Sequence, residues 1–141
     1  MKFKKLILLC LLAFGSTHCG SKASADPGMN IDGSSKEAVY VAKLDWQTPL
    51  KSETALTAKL SFTGPDGSAA QTVENIVFTP WMPTMGHGTS TVNQKISLVP
   101  GTTNSYLVEG IYFIMGGDWE IRLTATVNGR KDSASLPVYL P

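Results

Sequence analysis

Trp119-Glu120-Ile121-Arg122-Leu123-Thr124-Ala125-Thr126-Val127, followed at once by Asn128-Gly129, decides the fold. Trp119, Ile121, Leu123, Ala125 and Val127 alternate strictly with Glu120, Arg122, Thr124 and Thr126. A period of two puts the apolar side chains on one face and the polar ones on the other, the pattern of a strand lying on a core. Asn-Gly tolerates the positive φ of a type I′ turn, so the chain is predicted to reverse there and return antiparallel. Ser133 to Leu140 is the returning strand, and Pro137, which has no N–H for a ladder, confines it to a sheet edge or a bulge.

The same alternation recurs upstream. Tyr40, Ala42, Leu44 and Trp46 share one face against Lys43 and Asp45, and Leu56, Ala58, Leu60 and Phe62 share one against Thr57, Lys59 and Ser61. Gly64-Pro65-Asp66-Gly67 closes the second run, with Pro presetting φ and Gly accepting a positive one. Val73–Thr79, Val92–Val99 and Tyr106–Met115 read as further strands, the last interrupted by Gly110. No window carries a helical stripe. Seven strands at roughly ten-residue intervals predict an all-β fold, an immunoglobulin-like antiparallel β-sandwich, over 37–141.

Upstream of this domain, Lys2, Lys4 and Lys5 precede an apolar run from Leu6 to Phe14 that ends at Gly15-Ser16. Nine apolar residues fall short of the roughly 20 that span a bilayer and suit the about 7–15 of a signal peptide. Residues 1–18 are therefore expected to be removed on export. Cys19 follows, and the domain contains no other cysteine with which it could pair. Its position resembles the acylated cysteine of bacterial lipoproteins, although Ser16-Thr17-His18 departs from their usual Leu at −3 and Gly or Ala at −1. Ordinary cleavage within 16–25 is the alternative. Residues 19–36, rich in Gly, Ser and Ala, read as a flexible linker from a lipid anchor in the membrane, with the protein in the cell envelope or periplasm. An irregular strand around Met29 to Ile31 is the other reading.

Once residues 1–18 are gone, nine Lys and Arg stand against eleven Asp and Glu. That balance disfavours nucleic acid as a partner. With one histidine and no cysteine in the domain, neither a catalytic dyad nor a His-rich zinc site can be assembled, so the chain is not expected to be an enzyme and no small-molecule substrate is predicted. Glu120 is expected to face solvent on its strand, and Asp118 to form a turn or orient His87.

The chemistry concentrates in Trp81-Met82-Pro83-Thr84-Met85-Gly86-His87-Gly88. Two thioethers and an imidazole on a turn stiffened by proline and glycine suit a soft, low-coordinate metal such as Cu(I). Methionine and histidine also pack ordinary loops, with thioethers against the rings of Trp81 and Trp119.

Paired with Gly110-Ile111-Tyr112-Phe113-Ile114-Met115-Gly116-Gly117-Asp118-Trp119-Glu120-Ile121, this turn resembles the YtkA-like domain family. Those are small exported sandwich domains with a Met-Pro-x-Met-x-His turn and a later Gly-x-Tyr … Met-x-Gly-x-Trp pair. The likeness runs from about Val39 to Val138 and extends to FixH-type proteins, which are linked to assembly of copper-containing oxidases and usually carry a membrane span. The resemblance implies that Met115 lies beside the turn, giving Met82, Met85, His87 and Met115 as a Cu(I) ligand set and a copper-accepting protein as a partner. The other class of function is a structural or protein-interaction envelope lipoprotein without metal, in which the Met-rich turn is packing or a contact surface.

If Cys19 carries the anchor, Cys19→Ser shifts the protein from the membrane to the soluble fraction on cell fractionation. Unchanged fractionation would reject lipidation.

Overall fold

Alternating side chains become two facing sheets. The computed structural model describes residues 29–141, and the expected signal segment and Cys19 lie outside the described residues. The strands are β1 (Asn30–Ser34), β2 (Val41–Trp46), β3 (Leu56–Thr63), β4 (Val73–Met82) and β5 (His87–Gly88). They continue with β6 (Lys95–Leu98), β7 (Ser105–Ile111), β8 (Gly117–Val127) and β9 (Arg130–Leu140). One sheet has the order β1-β2-β3-β7-β6 and the other β5-β4-β8-β9, with antiparallel pairing throughout. Setting β1 aside, this is the immunoglobulin arrangement, with β2-β3-β7-β6 as the ABED sheet and β4-β8-β9 as the CFG sheet extended by β5.

The hairpin read from Trp119 onward forms as expected. Gly117 stands opposite Leu140 and Val127 opposite Arg130, with Asn128 and Gly129 at φ 48° and 78° in the turn. Trp119, Ile121, Leu123, Ala125 and Val127 are all buried, and β9 with its Pro137 is an edge strand. Burying a side chain such as Leu123 contributes about 1.5–3 kcal/mol.

Several boundaries differ from the sequence reading. The linker expected over 19–36 gives way at Asn30, where β1 joins the sheet through a backbone ladder with β2 from Asn30–Asp45 to Ser34–Val41. This agrees with the other reading, a strand around Met29 to Ile31, and extends it to Ser34; Ile31 is its only large apolar residue, and a Cβ on Gly33 would come within 2.7 Å of the Leu136 Cδ2 methyl. The strand expected over 92–99 begins only at Lys95, after a turn in which the Gln94 amide donates to the Thr91 carbonyl. The strand expected over 106–115 ends at Ile111. Gly110, at φ 70°, is left over where the β3 register jumps from Thr57–Glu109 to Leu56–Ile111, so Met115 sits in a loop rather than at a strand end.

At the end of the sandwich holding the β8–β9 turn, one carboxylate ties the start of the domain to its last strand. Asp132 Oδ2 accepts from the Glu37 amide at 2.8 Å and more weakly from the Val39 amide at 3.4 Å, and Oδ1 accepts from the Ser133 amide at 2.7 Å. Ser35 Oγ accepts from the amides of Val39 and Tyr40, both at 2.9 Å, and the Tyr40 hydroxyl donates to the Asp132 carbonyl at 3.2 Å. Burial works to raise the Asp132 pKa, but the Ser35 hydroxyl and the Ser133, Glu37 and Val39 amides outweigh it and hold the carboxyl below its ordinary value. Burial, and then the Asp132 charge, push the Tyr40 phenol up to about 12.

A depressed carboxyl pKa stabilises the fold above the unfolded value of about 3.9 and loses that stabilisation as pH falls through the folded value. In thermal melts across pH, Asp132→Asn should therefore lower the melting temperature at neutral pH and flatten the acid limb of the stability curve. Parallel acid limbs in the two proteins would contradict this role.

Candidate metal-binding end of the sandwich

The opposite end of the sandwich brings the two methionine-bearing segments together. β4 runs on past Thr79 to Met82, and residues 83–86 turn the chain into β5. The Met85 and Gly86 amides donate to the Met82 carbonyl at 3.2 and 3.0 Å, and Gly86 adopts φ 69° to close the turn. This closure sets Met82 opposite His87 and Trp81 opposite Gly88. A Cβ on Gly88 would lie 2.7 Å from the Pro80 carbonyl oxygen, so the close approach of the two strands requires glycine.

Residues directly opposite in an antiparallel pair project from the same face, with Cβ atoms about 4.5–5.5 Å apart. Met82 is buried against the core, so His87 projects on that same inner side at the sheet edge, where it is half-buried. The ring makes one long contact, Nδ1 to the Gly88 carbonyl at 3.4 Å. If Nδ1 carries the proton for that contact, Nε2 presents its lone pair, the state that a metal ligand needs.

The second segment is held by aromatic packing. Phe113 is fully buried, with ring centroids 6.1 Å from Trp46 and 5.1 Å from Trp119. Its carbonyl accepts from the Glu53 amide at 2.8 Å, and Trp119 Nε1 donates to the Met115 carbonyl at 3.1 Å. Thr89 Oγ1 donates to the Tyr112 carbonyl at 2.8 Å, joining the two segments directly. Met82 Cε lies 3.4 Å from where a Cβ on Gly117 would stand, two residues beyond Met115.

Each donor expected from sequence is thus at this end, but in different surroundings. Met82 and His87 form a cross-strand pair. Met82 belongs to the core, while Met85 at the turn tip is 59 % exposed and Met115 on the loop is 42 % exposed. Asp118 does not orient His87: it stands opposite Tyr139 on β8. Trp81 faces outward with the Arg122 guanidinium 4.1 Å over its ring, so it is not the aromatic partner of a buried thioether. Glu120 faces outward as read, bonded to Arg122 Nε at 2.7 Å and the Ser135 hydroxyl at 2.6 Å. First the Ser135 hydrogen bond and then the Arg122 one lower its pKa.

Among the described residues no three His, Cys, Asp or Glu side chains cluster. The donors on offer here are thioethers and one imidazole, a soft set. One feature of this end went unread in the sequence: Val92, Tyr112 and Ile114, all exposed, line a groove of about 320 Å³ with Ala55 and Gly110. The signal was available in Tyr112 and Ile114 flanking the inward Phe113, a local alternation outside any strand.

No family model, no curated protein and no solved structure matches this chain.

Proposed function

We propose that this is an exported, non-enzymatic binding domain that holds Cu(I) at its loop end, with His87 and Met82 at the centre and Met85 and Met115 as accessible donors. The observation that carries the reading is the Met82–His87 cross-strand pair, beside a loop whose Met115 carbonyl is fixed by Trp119. A buried thioether and an edge imidazole supply two soft donors on a rigid frame, and exposed thioethers can take up or release the ion without a thiolate to oxidise. The resemblance of the 81–88 turn and the 110–121 segment to the YtkA-like motifs points the same way, as does the export expected from residues 1–18. A copper-accepting protein is the corresponding partner. The exposed apolar groove beside the turn favours a second reading, a contact surface without metal.

Titrating the purified protein with Cu(I) against a competing chelator distinguishes the two. His87→Ala should weaken binding about tenfold or more, and Met85→Leu several-fold, with the fold unchanged. Equal affinity in the parent and both variants would remove the site.

A further inference from the structure

The two ends of the sandwich differ sharply in what they show to solvent. Eight large apolar side chains are exposed among the described residues, and five of them, Met85, Val92, Tyr112, Ile114 and Met115, lie on the turns and loops of one end. Val92 is the extreme, at 83 %. Tyr112, Ile114 and Met115 are nearly consecutive, and Val92 faces Tyr112 and Ile114 across the shared groove. The other end is polar, with Glu37, Asp66, Arg130 and Lys131 exposed around its turns. An apolar cluster confined to one end is the mark of a surface that meets another phase or another molecule.

The chain also arrives at the apolar end. The Met29 carbonyl accepts from the Trp46 amide at 3.3 Å, and Met29 borders a cavity with Asp118, Trp119 and Tyr139. The segment from Cys19 to Gly28 can reach at most about 35 Å at full stretch. The sandwich measures about the same along the eleven-residue strands β8 and β9. An anchor at Cys19 therefore leaves the apolar end nearest the bilayer, and the polar end could touch it only with the tether fully extended.

From these two observations we infer that the loop end seats directly on the lipid surface, with Tyr112, Ile114, Met115, Met85 and Val92 as its contacts. This inference rests on the reading that the protein is anchored through Cys19, and it does not depend on copper. Tyr112 brings a ring with a polar tip, the side chain suited to the headgroup boundary. Lys51 and Glu53 on the neighbouring loop, Lys95 at the start of β6 and Asp118 on β8 are exposed charges around this end and mix both signs without a basic cluster, so apolar burial rather than lipid charge sets the contact.

The test uses the chain from Gly20 to Pro141, which has no acyl acceptor, with protein-free vesicles of phosphatidylethanolamine and phosphatidylcholine. Flotation should recover a fraction of the parent that persists between about 0.1 and 0.5 M NaCl. Tyr112→Ser combined with Ile114→Ser should lower partition about tenfold or more, while Leu98→Ser, an exposed apolar residue on β6 away from that end, should leave it unchanged. Partition equal in the parent and the double variant, an equal loss with Leu98→Ser, or binding abolished by salt would each overturn the inference. Binding to native membranes without binding to protein-free vesicles would overturn it too, and would point to a membrane protein as the partner. Because no lipid anchor is present in this experiment, its outcome is independent of the Cys19→Ser fractionation.

Discussion

Phe113, wedged between Trp46 of one sheet and Trp119 of the other, is the contact on which the loop end of this domain depends. Each tilted or edge-on aromatic pair contributes about 0.5–1.5 kcal/mol beyond the apolar area that it buries. The wedge also fixes backbone: Glu53 bonds the Phe113 carbonyl, and the Trp119 indole bonds the Met115 carbonyl. The 112–116 loop cannot lift without opening the core between the sheets. The packing also tolerates a cost, since Trp46 Nε1 is buried with no hydrogen-bond acceptor among the described residues, a deficit of about 1–3 kcal/mol. No disulfide ties the two sheets together, so packing at this end and the Asp132 network at the other hold the sandwich closed.

Met82 joins packing to chemistry. Its side chain completes the core and its methyl lies over Gly117, while its backbone pairs with His87. A thioether suits this double position, because it fills an irregular gap as an apolar group and still offers a soft lone pair. Met85 and Met115, in solvent on either side, belong to the surface. If the loop end both holds Cu(I) and rests on the bilayer, the ion is presented at the membrane face, within reach of a membrane-held acceptor rather than of one in bulk solution.

Much of the architecture was legible because long strands announce themselves by alternation, and Trp119 to Val127 with Asn128-Gly129 fixed the register of the central hairpin. β1 was legible only as the alternative strand around Met29 to Ile31, because Asn30-Ile31-Asp32-Gly33-Ser34 is held by main-chain bonds to β2 and by a small residue under Leu136, neither of which leaves a periodic signal. The bulge near the end of β7 sits at the positive φ of Gly110, a glycine visible in sequence whose consequence depends on the β3 partner. At the candidate site, the turn chemistry of Pro83, Gly86 and Gly88 was readable. Which methionine is buried was not, since burial depends on strand β4 extending to Met82 and on the face that this residue inherits from Phe78 and Pro80. The apolar rim escaped notice because Tyr112 and Ile114 were read as part of a strand.

The central claim, that an aromatic wedge locks the second methionine-bearing loop beside the first, is tested most directly by hydrogen exchange at the Trp119 indole N–H. The indole hydrogen should exchange only as slowly as the most protected β8 amides, and Phe113→Ala should accelerate it by orders of magnitude while the β8–β9 amides at the Asp132 end stay protected. An indole hydrogen that exchanges at the free rate in the folded parent protein would contradict the account.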